Sequence, residues 1–189
     1  MLAKRRIFRL SMAIGLGLAI AACCLQASAQ SRLSSKIVRL HVLANSDSEF
    51  DQAIKLKVRD AVLQCGISEH PGEEELENIR LAARECLIEN GQDGRVTASF
   101  EKIYFETRDY DEFSLPAGYY DAVRVVIGNG EGRNWWCVVY PSLCTGFAEA
   151  EAEGVLSQDE INFIKKDGEE YVVRFKLQEL ISEWSAKLF

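Results

Sequence analysis

Histidine occurs only twice in this sequence, proline three times and methionine twice. With His41 and His70 as the only imidazoles, neither a catalytic histidine pair nor a metal cluster of ordinary ligand spacing is available. No Gly-x-Ser-x-Gly elbow is present, so the usual sequence mark of serine hydrolysis is missing. Glycine is concentrated in one run, Gly128-Asn129-Gly130-Glu131-Gly132. A phosphate-cradling loop opens a helix, whereas β-forming residues flank this run on both sides, so it reads as a hairpin turn. Long apolar stretches are scarce as well. The longest, residues 10–25, has roughly 16 residues, short of the ~20 that a helix needs to cross the hydrocarbon core.

That stretch follows Lys4, Arg5, Arg6 and Arg9, with no acid among the first nine residues, which is the pattern of a secretory signal over residues 1–29. Two exits are open. Ala27-Ser28-Ala29 offers small residues for signal peptidase, leaving Gln30 first, while Ile20-Ala21-Ala22-Cys23 looks like a lipobox that would acylate Cys23. The first gives a free exported protein and the second a tethered one.

Basic runs are missing from the remainder. The chain holds 22 basic and 29 acidic side chains, and losing the four N-terminal cations leaves 18 against 29, a net charge of −11. Nucleic acid is thereby excluded as a partner, since phosphate binding needs clustered Lys and Arg. Four cysteines, Cys65, Cys86, Cys137 and Cys144, would face an oxidising compartment. Cys65 and Cys86 fall on consecutive predicted helices ~20 Å apart along a helical hairpin, beyond the ~7 Å that a disulfide spans. They read as small buried apolar residues. Cys137 and Cys144 flank Pro141 and form the candidate pair, if the chain has one.

Hydrophobic periodicity orders the elements. Residues 37–43 form a strand with apolar residues in both phases. Ser46 and Glu49 suggest a capping box, opening a helix that ends near Gly66. A second helix over 73–90 starts with acids and ends before Gly91. Strands are expected over 96–105, 120–127 and 135–140, the last two joined by the glycine run. An acidic linker, 148–160, precedes a strand at 171–175 and an amphipathic helix ending at Leu188, together an extension over 161–189. The expected fold is therefore α+β. It is a single domain over 37–147 after a 30–36 linker, with a mostly antiparallel sheet, a helical pair inserted after the first strand, and a C-terminal helix.

Chemistry-bearing groups are sparse. His41 could partner Cys137 or Ser46 as a nucleophile, but reads more simply as a half-buried strand histidine. Asp109, Asp111 and Glu112 resemble a glycosidase couple only in composition and read as a solvated loop. Trp135 and Trp136, adjacent on a strand, must point to opposite faces. One reading makes an exposed ring an interface anchor beside Arg133, and the other buries both in a two-sided sheet. Neither an enzyme nor a cofactor or metal is expected.

Two blocks of sequence resemble the stage II sporulation protein R family of endospore-forming bacteria. The first is Ile37-Val38-Arg39-Leu40-His41-Val42-Leu43-Ala44-Asn45-Ser46-Asp47-Ser48, with Asp51-Gln52 and Lys55-Leu56-Lys57-Val58-Arg59-Asp60. The second is Leu115-Pro116-Ala117-Gly118-Tyr119-Tyr120, Ala122-Val123-Arg124-Val125-Val126-Ile127-Gly128 and Gly130-Glu131-Gly132-Arg133-Asn134-Trp135-Trp136-Cys137-Val138-Val139-Tyr140-Pro141, closing on Leu143-Cys144. The resemblance implies a signalling protein exported into the space between forespore and mother cell. There it would activate a membrane-embedded aspartic protease that matures a sporulation sigma factor. The expected contact surface is the 44–51 loop with the 130–136 segment, using His41, Asn45, Ser46, Asp47, Asp51, Arg124, Asn134, Trp135 and Trp136. Alternatives are an exported cell-wall hydrolase and a non-catalytic septal scaffold.

Overall fold

The computed structural model describes residues 2–110, 112–143 and 154–165. The chain divides into two compact units, Met1–Leu33 and Ser34–Phe189. The first is a single helix, α1, assigned over Leu2–Ser34. Its Arg6–Ser34 portion is long and apolar enough to cross a membrane by length and composition, a test that a signal sequence also passes. The 16-residue count fell short because it stopped at Leu25, whereas the helix runs on through Ala27-Ser28-Ala29 into a polar flank.

The second unit is a mixed helix-and-sheet domain in which most strand pairs are antiparallel. Its elements are β1 (Val38–Leu43), α2 (Glu49–Gln64), α3 (Glu73–Glu89), β2 (Val96–Phe105), β3 (Arg108–Asp109), β4 (Ser114–Leu115), β5 (Gly118–Ile127), β6 (Asn134–Tyr140) and α4 (Gln158–Ile164). The helical pair follows the first strand, as expected. The main sheet has the order β2-β5-β1-β6, with β1 parallel to β5 and antiparallel to β6. β2 and β5 form a long antiparallel pair, while β3 and β4 make a separate two-stranded ribbon.

The expected hairpin between β5 and β6 is not formed, because β1 lies between those strands. Their connection passes over the end of β1 instead. Neighbouring strands are ~4.8 Å apart, so skipping one strand requires a span of ~10 Å, within reach of six residues. Gly128 and Gly130 take φ of +59° and +68° along that path.

Strand alternation separates two faces. One side presents Val38, Leu40 and Val42 of β1, Val123, Val125 and Ile127 of β5, and Cys137 and Val139 of β6. Ile54, Val58 and Val62 of α2 and Ile79, Ala83 and Leu87 of α3 cover it, forming the dry core. Each such aliphatic side chain contributes about 1.5–3 kcal/mol on burial. Both helices are amphipathic at 3.6-residue spacing, which is why they lie flat on the sheet.

Their ends are set locally. The N-cap of α2 is Ser48 rather than Ser46: its Oγ accepts from the Asp51 amide at 3.1 Å. Gly66 follows with φ +70°. At the end of α3 the Gln92 amide donates to the Leu87 carbonyl at 2.9 Å and that of Gly91 to Ile88 at 3.0 Å, with Gly91 at φ +75°. Ser157 and Glu160 form a capping box that opens α4 inside the segment read as an acidic linker. Phe113 bridges antiparallel to Lys165. The expected strand at 171–175 and the helix ending at Leu188 lie outside the described residues.

Candidate functional site

At the C-terminal end of β1 the chain turns sharply, and the 44–48 turn interlocks with the 128–133 connection. The Gly132 amide donates to the Ala44 carbonyl at 2.9 Å and the Glu131 amide to that of Asn45 at 3.3 Å. The Asn129 amide donates to Asn45 Oδ1 at 3.1 Å, and the Arg133 amide to Asp47 Oδ1 at 2.7 Å. A Cβ on Gly132 would run into the Ser46 carbonyl, and one on Gly128 into the Asn45 side chain. These two glycines are therefore required by close approach of the two loops.

Asp51, in the first turn of α2, anchors this clamp from beneath. Its Oδ2 accepts from Ser46 Oγ at 2.5 Å and Asn45 Nδ2 at 3.0 Å, while Oδ1 accepts from Gln92 Nε2 at 3.0 Å. The Ser46 bond, reinforced by Asn45 and Gln92, holds its carboxyl below the usual range. Gln52 Nε2 donates to the Ser46 carbonyl at 2.9 Å. Buried Lys55 donates to Gln52 Oε1 at 2.7 Å and to the Arg133 carbonyl at 2.9 Å, and burial lowers its pKa. One carboxylate and one ammonium thus tie together β1, α2 and the 128–133 connection.

Around the corner lies the face of the sheet opposite α2 and α3. His41 is 6% exposed, and its ring stacks on Trp136 with centroids 3.7 Å apart. Its Nε2 lies 2.9 Å from Asn134 Oδ1. Burial pushes the imidazole pKa down to about 4, against the Asn134 bond and with help from Arg124 and Arg39. Arg124 sits beside His41 in the parallel register and lies 3.6 Å from Glu101 Oε1. Phe105 packs edge-on to Trp136 and Tyr120, with centroids 4.8 and 5.9 Å away.

The residue that sequence reasoning passed over is Arg39. It is 0% exposed, with its guanidinium 3.9 Å above the Phe105 ring centroid and 5.2 Å from that of Tyr120. Nη2 donates to Tyr110 Oη at 2.9 Å, while Nε and Nη1 have no hydrogen-bond acceptor among the described residues. Removing such a cation from water costs several kcal/mol, and cation–π contacts offset only part of that. Alternation of Arg39 and His41 along an otherwise apolar strand was the available signal.

The structure thus sorts the expected contact residues into two groups. Asn45, Ser46, Asp47 and Asp51 build the clamp; His41, Arg124, Asn134 and Trp136 share the opposite sheet face. Trp135 belongs to neither: it packs partly buried on the helix-covered core, with Arg59 5.0 Å over its ring. Both tryptophans are half-buried, each on its own face.

Cys137 is buried on the helix-covered side, opposite Leu40, so the β1 alternation puts it on the other face from His41. A Cys–His couple from these two residues is not assembled. Cys144, the other half of the expected disulfide, lies outside the described residues, as does Asp111. Of the remaining glycosidase candidates, Asp109 accepts a hydrogen bond from Ser114 Oγ and Glu112 is exposed. Cys23 falls on α1. Among the described residues no group of three or more His, Cys, Asp or Glu side chains is arranged to hold a metal ion.

A family model described as stage II sporulation protein R matches residues 34–151. The chain is also similar to "Stage II sporulation protein R" of Bacillus subtilis (strain 168), 36% identical over 149 residues, covering 72% of this chain and 66% of that protein. The chain therefore spans a little under two thirds of that relative's length. No solved structure matches.

Proposed function

This chain belongs to the stage II sporulation protein R family, and from that membership, which supports a role in sporulation, we propose that it is an exported, non-catalytic signal. It acts between forespore and mother cell by binding the extracytoplasmic face of a membrane-embedded aspartic protease. Binding favours the protease state that processes a mother-cell pro-sigma factor, since an activator works by preferring one conformation of its target.

The observation that supports this reading is the interlocked pair of loops at one end of the sheet. They hold exposed polar side chains such as Asp47 and Arg133 on a backbone fixed by at least four interloop hydrogen bonds. A rigid polar surface suits recognition of a partner, because little ordering entropy is lost on binding. The apolar α1 helix is compatible with export.

Co-expression of the exported chain, the protease and the pro-sigma substrate in a non-sporulating host tests the proposal. Processing that depends on all three is the expected result. Failure of the chain to promote processing there, although secreted and folded, defeats it. Replacement of Asp47 and Arg133 by Ala, both at the exposed rim, is expected to lower processing about tenfold, the equivalent of ~1.4 kcal/mol of binding.

A further inference from the structure

The Arg39 neighbourhood is built unlike the rest of the domain. A guanidinium is fully buried, yet two of its nitrogens lack acceptors among the described residues. Nearby, Arg124 Nε and His41 Nδ1 are also buried without a hydrogen-bond partner among the described residues. Arg39 has no carboxylate within ion-pair distance among the described residues; Glu101 pairs with Arg124 and accepts from Ser99 Oγ. In a chain with 29 acidic side chains, an unanswered buried arginine is the opposite of what composition supplies. Phe105, Tyr120 and Trp136 wall the cluster, and Arg108 stands 5.9 Å from the Trp136 ring centroid.

We propose that this face of the sheet is a binding site for a carboxylate carried by an acidic peptide segment, with Arg39 as its inner receptor and Arg124 at its mouth. The chemistry selects the ligand. Buried N–H donors on a cationic, planar group are satisfied best by an anionic oxygen, and the aromatic walls suit the apolar stem that carries a side-chain carboxylate. Arg124 is part-exposed and Asn134 is exposed, which marks the side from which a peptide reaches the cluster. Tyr110 already accepts from Nη2, so the ligand takes the nitrogens that are left. For the identity of the peptide's owner the proposal rests on the signalling reading above; the site itself does not depend on it.

The probe is acetyl-Gly-Glu-Gly-amide, with acetyl-Gly-Gln-Gly-amide and inorganic phosphate as comparisons, added to the full chain in detergent. Arginine Nε–H resonances and the Trp136 indole N–H resonance report binding. The Glu peptide is expected to shift the Arg39 and Arg124 signals and Trp136, and to bind at least about tenfold tighter than the Gln peptide. Arg124→Gln should weaken it about fivefold or more without unfolding the domain, because this side chain lies at the rim. Arg39→Gln should abolish it, and the rim variant keeps the test decisive if Arg39→Gln does not fold. Equal binding of the Glu and Gln peptides, phosphate outcompeting the Glu peptide, or no response up to tens of millimolar each overturns the site. Peptide binding combined with unchanged pro-sigma processing by Arg124→Gln upholds the site and separates it from signalling. Lost processing without peptide binding defeats the site alone.

Discussion

The two faces of the same sheet are built on opposite principles, although they share every strand. The helix-covered face is apolar along β1, β5 and β6 and is closed by two amphipathic helices. The other buries Arg39 and His41 among aromatic rings and leaves nitrogen donors unanswered. A domain needs only one face of the first kind to fold. Polar groups held at a cost on the second face are where function is to be sought, since burial of unmatched charge is otherwise selected against.

Substitutions on β1 can break that comparison. Leu40→Ala opens a cavity on the helix-covered face and is expected to cost about 3 kcal/mol, read as a lower urea midpoint at unchanged slope. Acid should separate the faces next. His41 is held at about 4 in the fold against an ordinary value of 6.5, so the unfolded chain binds the proton first. Its contribution is complete above pH 6.5 and is lost as pH falls toward 4, about 2 kcal/mol once solvent screening is discounted. Asp51 works in the same direction at lower pH, because its carboxyl is held below the usual range. His41→Gln should flatten only the upper part of the denaturation profile, leaving the Asp51 part.

Arg39→Met sharpens the contrast from the other side. Filling the same volume with an apolar chain should leave stability unchanged or raise it by about 1 kcal/mol in thermal melts, unlike Leu40→Ala. A loss above ~2 kcal/mol would show that Arg39 is structural and that the two faces do not differ in kind. Smallest is Lys102→Ala, which removes an exposed cation paired with half-buried Asp121 at 3.4 Å and should change stability by less than about 0.5 kcal/mol.

Local pattern made much of the domain legible. The two helices could be read from their apolar stripes and glycine stops, and β2 from its alternation, to within a residue or two. The cap of α2 was ambiguous for a local reason: Ser46 and Ser48 each have an acid three residues on, Glu49 and Asp51, and the backbone turn chose the second. The β5–β6 connection was misread for a non-local one. Nothing in six residues reveals that another strand, some ninety positions earlier, will lie between its ends. The clamp was half visible. Asn45 to Asp51 and the glycine run were both picked out, but Gln92, just past the end of α3, and Lys55, within α2, tie them down through contacts that only the folded chain brings about. Arg39 was hidden because a single charge in an apolar strand reads as a solvated position until the strand is known to be central.

The central place of β1 has a consequence for the order of assembly. Its neighbours begin pairing only at residues 121 and 134, so the first strand made waits for nearly the whole domain before either edge is satisfied. Loop closure over such distances is slow, and no smaller piece of the sheet contains β1 with both partners. A chain threaded end-first through a narrow passage would therefore arrive with its leading strand still single. Strand β1 has both its edges paired only once β6 lies beside it and the glycine connection crosses its end.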